Sequence, residues 1–142
     1  MIFRWMILFS ICTHTTHVMA GPLTLRLGPP GVGSGGTNPM GIPPGIVDAD
    51  LSYVTASKWE GSLSIAPGIL VGKRFDFKGP YTSAGGALVL SGNGVGPGVY
   101  SAFGYDFGSG SFRFNMEYKQ ALGITKTGLI APYALRMGVS WY

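Results

Sequence analysis

The chain has 142 residues, with 10 lysines and arginines against 6 aspartates and glutamates, so only 11% of it is charged while 46% is hydrophobic. That length excludes more than one sizeable domain, and the scattered basic residues exclude a nucleic-acid surface built on a basic run. So low a charge content means that the chain is unusually apolar inside or faces something other than water.

Residues 1–20 read as a cleavable secretory signal. Arg4 provides the positive start, Trp5 to Cys12 an apolar core, and Val18-Met19-Ala20 the small or aliphatic residues before a cleavage site. That core is about eight residues long, against the ~18–20 that a spanning helix needs, so a retained anchor is the weaker reading. Phe9-Ser10-Ile11 is a poor lipobox, and lipidation of Cys12 is not expected. Cys12, His14 and His17 are the only cysteine and histidines, so a mature chain starting at Gly21 has no thiol and no imidazole. Disulfides, Cys or His metal sites and histidine-based catalysis are thereby excluded. No Ser-Lys dyad stands at a recognisable spacing, so the chain reads as a non-enzyme without a cofactor or metal.

Residues 21–142 form one domain of alternating strands. "LTLRL" is the first, over 23–28, with Leu23, Leu25 and Leu27 alternating with Thr24 and Arg26. A Gly/Pro-rich loop follows over 28–50. Gly31 to Gly36 formally matches a dinucleotide-binding glycine pattern, but Pro39, Pro43 and Pro44 forbid the helix that a phosphate site requires. Asp48 and Asp50 offer paired oxygens without the ligand spacing of a calcium loop, and read as exposed loop residues.

Further strands are expected at 48–56, 58–66, 69–78, 82–91, 97–107, 111–122 and 132–142. No turn signal marks the break near Ala56 and Ser57, so Leu51 to Ile65 as one strand is the alternative, and a six-stranded barrel excluding the first segment is another. A loop on Ala66-Pro67-Gly68 pairs Trp59 with Phe75, Glu60 with Arg74 and Lys58 with Asp76, while Lys73 falls on the apolar face. "YTSAGGALVLSG" is apolar on both faces, and its inward side cannot be assigned. The turn in "YDFGSGSF" sets Phe107 against Phe112, Asp106 beside Arg113 and Tyr100 beside Lys119. In the last strand Tyr133, Leu135, Met137, Val139 and Trp141 share one face, and Ala134, Arg136, Gly138, Ser140 and Tyr142 the other.

Periodicity separates the faces without saying which is wet. In a soluble sandwich or lipocalin-like barrel the apolar face is core; in a small membrane barrel it meets lipid, and charges fill the interior. Gly98, Ala102, Gly104, Ala121, Ala134 and Gly138 make the polar face small, which suits a crowded lumen better than a wet surface. The expected architecture is an all-β, antiparallel up-and-down transmembrane barrel of about eight strands. Its lumen would hold Lys58, Glu60, Arg74, Asp76, Asp106, Arg113, Glu117, Lys119 and Arg136 as paired charges. Trp59, Tyr105, Tyr118, Tyr133 and Trp141 would form aromatic girdles, with Tyr133 and Trp141 roughly 20 Å apart along the axis.

A signal segment, strands of about ten residues, short glycine turns such as "GSG" and a last strand ending in aromatics resemble the small outer-membrane β-barrels of Gram-negative bacteria, of OmpA, OmpX and OmpW type. The resemblance covers about residues 21–142 and rests on pattern. It implies a location in the cell outer membrane, lipid as a partner, and recognition of Tyr133 to Tyr142 by the barrel assembly machinery. Tyr142 matches the family's terminal aromatic, although the apolar set ending at Trp141 is one residue out of the usual phase. The function implied is a structural or surface-interaction role; the alternatives are a small-solute channel of the same fold and a secreted soluble β-barrel binder.

Overall fold

The computed structural model describes residues 21–28, 48–65, 67–91, 94–126 and 128–142. The signal expected at 1–20, the glycine pattern at 31–36 and most of the 28–50 loop lie outside the described residues. Among the described residues nine strands form: β1 (Leu23–Gly28), β2 (Asp48–Val54), β3 (Trp59–Ser64), β4 (Gly68–Asp76), β5 (Pro80–Ser91), β6 (Gly94–Phe107), β7 (Phe112–Thr125), β8 (Gly128–Ile130) and β9 (Tyr133–Trp141).

Each strand pairs antiparallel with its sequence neighbour, except that β8 and β9 both run along β7. Pro132, which has no N–H to give the ladder, separates them, yet its carbonyl still accepts from Ala121 N at 2.9 Å. Together β8 and β9 therefore make one stave. β9 then pairs with β1, Leu23 opposite Trp141 and Leu27 opposite Met137, and the sheet closes into an eight-stranded up-and-down barrel. Closure leaves no open sheet edge around this ring.

The wall is uneven. β1 and β3 have 6 residues each, whereas β6 and β7 have 14. We call the end that carries Leu23, Tyr142 and the β2–β3, β4–β5 and β6–β7 turns the lower end. The β2–β3 break is a tight turn in which Lys58 N donates to Thr55 O at 2.9 Å and Trp59 N to Thr55 Oγ1 at 3.0 Å. Lys58 takes a left-handed φ of 67°, a conformation with no glycine or asparagine to announce it. Leu51 to Ile65 is accordingly two strands.

Two registers differ from expectation by two residues. Trp59 lies opposite Lys73 and Glu60 opposite Gly72, because the β3–β4 turn takes up Ser64 to Gly68, with Ser64 Oγ donating to Gly68 O at 3.1 Å. Phe107 lies opposite Phe114 and Asp106 opposite Asn115, rather than Phe112 and Arg113. Each two-residue shift keeps every side chain on its expected face, because the strand period is two.

Alternation puts the large apolar side chains outside. Leu63, Phe114 and Met137 are 58%, 72% and 63% exposed, and Leu25, Leu51, Val71, Val99 and Leu135 stand outward on other strands. Inside, Arg26, Asp50, Lys119 and Ser140 are fully buried. An eight-stranded barrel is just wide enough for side chains to fill, and the small positions make the fit. A Cβ on Gly104 would stand 2.3 Å from the Tyr81 ring, and one on Gly123 would stand 2.7 Å from Val89.

Candidate functional site

The interior is the site, and Arg26 is its hub. β1 places Arg26 opposite Asp50 of β2, and its Nη1 donates to Asp50 Oδ2 at 2.6 Å and to Ser52 Oγ at 2.8 Å. Its Nη2 donates to Tyr81 OH at 3.1 Å and lies 3.2 Å from Glu117 Oε2, while Nε donates to Asn115. The whole donor fork is thus engaged, as a guanidinium in a buried site requires.

From this hub the network runs both ways. Lys119 Nζ lies 3.0 Å from Glu117 Oε1 and 3.2 Å from Asp50 Oδ1, and Ser62 Oγ donates to the same Asp50 oxygen. Arg136 holds Asp48 at 2.6 Å, and Thr24 and Ser140 share a hydrogen bond across the closing β1–β9 seam. Toward the lower end Asn115 Nδ2 donates to Asp106 Oδ1 at 2.5 Å, and Asp106 Oδ2 binds Arg74 Nη2 at 2.6 Å. Arg74 also stacks over Tyr81, 3.6 Å from the ring centre, and donates to Asp76 Oδ1 at 2.7 Å. Lys58 closes the chain of contacts on Asp76 at 2.8 Å.

Arg74, Asp106, Glu117, Lys119 and Arg136 all lie in this interior network. Glu60 is buried with them, but neither of its oxygens has a hydrogen-bond donor, and Lys119 Nζ stands 3.9 Å from its Oε1. Lys58 was expected in the lumen; its side chain is 55% exposed at the lower rim, beside a part-exposed Asp76, because the turn lifts it out of the wall. Arg113 is half-buried at the mouth and stacks on Tyr142, 4.1 Å from the ring centre, instead of meeting Asp106. Lys73 stays on the outer face, reaching down to Ser57 O and lying 5.2 Å from the Trp59 ring centre.

Sequence reasoning missed Arg26, Asp48, Asp50 and Tyr81. Asp48 and Asp50, expected in an exposed loop, are buried strand residues. The alternation of "LTLRL" and "DADLSYV" carried the signal for the first three. Tyr81 had none, since β5 is apolar on both faces; its inward set proves to be Tyr81, Ser83, Ala87 and Val89.

The aromatics are concentrated near the lower end. Trp59, Phe75 and Phe77 stand outward there, Tyr105 lies 4.5 Å from Phe107, and Phe112 lies 5.9 Å from Trp141. Tyr118 and Tyr133 form a separate pair 6.1 Å apart, below the extension of the wall that β8 provides. Tyr142 turns toward the mouth, its hydroxyl donating to Asp106 Oδ2 at 2.9 Å. Burial and the adjacent Asp106 carboxylate raise its phenol pKa above the usual tyrosine range.

Among the described residues no group of three His, Cys, Asp or Glu side chains is arranged to hold a metal ion. The chain matches no family model, and no curated protein or solved structure is significantly similar to it.

Proposed function

We propose that this chain is an integral outer-membrane β-barrel with a structural or surface-interaction role, its lumen closed by paired charges. The observation that supports this reading is the inversion of the wall. Large apolar side chains face outward on all the main staves of a closed barrel, while nine charged residues, Arg26, Asp48, Asp50, Glu60, Arg74, Asp106, Glu117, Lys119 and Arg136, are buried inside. Exposure of so much contiguous apolar surface in water would drive association, whereas in hydrocarbon it meets its own kind and every ladder hydrogen bond stays internal.

Aromatics at the lower end fit the boundary between hydrocarbon and headgroups. Lipid is then the principal partner, and the β9 strand with its aromatic finish would engage the barrel assembly machinery. A packed ionic interior disfavours a solute pathway, so the role proposed is neither catalytic nor conducting.

Membrane fractionation tests the reading directly. The native protein should sediment with outer membranes, and unboiled samples should migrate differently from boiled ones in detergent gels. Recovery in a soluble periplasmic fraction would sink it.

A further inference from the structure

The lower mouth of the barrel holds a cavity of about 370 Å³ that the interior network does not fill. Four cations line it: Arg74, Arg113, Lys58 and Lys78. Two carboxylates, Asp76 and Asp106, share it with them, so the lining carries a net charge of +2 (four minus two). Arg74 is 2% exposed, yet its Nη1 has no hydrogen-bond acceptor, and the buried Nε of Arg113 has none either. Buried guanidinium N–H groups are seldom left without an acceptor. Lys78 adds a further ammonium from the β4–β5 turn, held at the rim by a φ of 57°.

We propose that this mouth is a binding site for a phosphate group. An anionic phosphate, singly charged as a phospholipid diester and close to doubly charged when free, opposes the excess charge, and its several oxygens suit donors that converge from different strands. Arg74 and Arg113 bind it from the inner side and Lys78 from the rim, with the Tyr142 ring keeping Arg113 in place. The site goes beyond the membrane reading, because the mouth has the same lining whether lipid or water surrounds the wall. Its ligand is either a free phosphate or the headgroup of a phospholipid.

The test uses the full chain, folded in phosphate-free maltoside detergent or in plain buffer if the barrel proves soluble, with β-structure followed by circular dichroism in each sample. Calorimetric titration is made with inorganic phosphate and, separately, with dihexanoyl phosphatidylglycerol as a monomer. Saturable binding in either arm is expected, and it should weaken as salt rises. Binding in both arms assigns recognition to the phosphate alone; binding only of the lipid assigns it to a headgroup. Arg113→Gln should weaken it about tenfold, the ordinary worth of one charge-assisted hydrogen bond. Lys78→Gln, in an exposed turn where folding is not at stake, should weaken it severalfold. The proposal is overturned by a folded protein that binds neither ligand, or by binding that both variants leave unchanged.

Discussion

The interior of the barrel has two unlike parts. One, built from β1, β2, β3, β9 and the middle of β7, is a lattice of arginine, lysine and carboxylates around Arg26. The other lies on the upper parts of β4 to β7, where Leu70, Ala87, Val89, Tyr100, Ala102 and Ala121 pack as an apolar cluster with Ile130 against it. Both fill the same narrow lumen, but by different physics. The apolar part needs only the right volumes, whereas each charge in the other part needs a partner within hydrogen-bond reach. The doubly apolar sequence of β5 follows from this difference, since its inner face meets the apolar plug and its outer face the surroundings of the barrel.

Substitutions can break that contrast, and the largest effect belongs to the hub. Arg26→Ala leaves Asp50 and Glu117 buried with fewer counter-charges, and should lower unfolding stability by about 3–5 kcal/mol. Urea midpoints followed by gel shift would show it, and a near-neutral result would mean that the network contributes nothing net.

The apolar part should respond to volume instead. Gly123→Ala pushes a methyl to within 2.7 Å of Val89 and should cost about 1–3 kcal/mol, while Gly86→Ala on the outer face, with nothing within 4 Å, should show no such strain. Equal effects at the two glycines would refute the tight packing of this half.

Glu60 sharpens the contrast with an opposite sign. The nine buried charges comprise four cations and five carboxylates, and Glu60 is the carboxylate without a donor. Glu60→Gln removes that excess while Lys119 keeps Asp50 and Glu117, so stability should rise by roughly 1 kcal/mol. A clear loss in the urea midpoint would show that Glu60 is needed as a charge.

At the rim the effects fade. Lys58→Gln removes an exposed ion pair with Asp76 and should change stability by less than about 1 kcal/mol, an effect that added salt should shrink further. Tyr142 gives the pH counterpart. Its folded pKa lies above the unfolded one, so its contribution is present below the ordinary tyrosine pKa of about 10 and is lost as pH rises through the folded value. Ultraviolet titration should lose a step above the ordinary tyrosine range in Tyr142→Phe, provided the barrel stays folded; an unchanged titration would count against the Asp106 contact.

Much of the wall was legible because a period of two is a local property. Alternation in "LTLRL" and "YALRMGVSWY" assigned faces, glycine and proline punctuation marked most breaks between staves though not the one at Ala56 and Ser57, and the expected strand at 23–28 coincides with β1. The face assignment of the last strand also stands, with Tyr142 on the inward side of the phase set by Arg136 and Ser140.

Register was not local. A slip of two residues conserves every face, so both the Glu60–Arg74 and the Asp106–Arg113 pairings satisfied the pattern while the turns decided otherwise. Charge partners followed register and closure: Arg26 meets Glu117, 91 positions later, only because β9 seals β1 into the ring beside β7. The sequence by itself determined which side chains share a face, since the backbone pleat imposes that residue by residue. That the polar face points inward was only suggested by its small residues, and tertiary structure alone decided which charges meet there, because that depends on closing a sheet whose ends are more than a hundred residues apart.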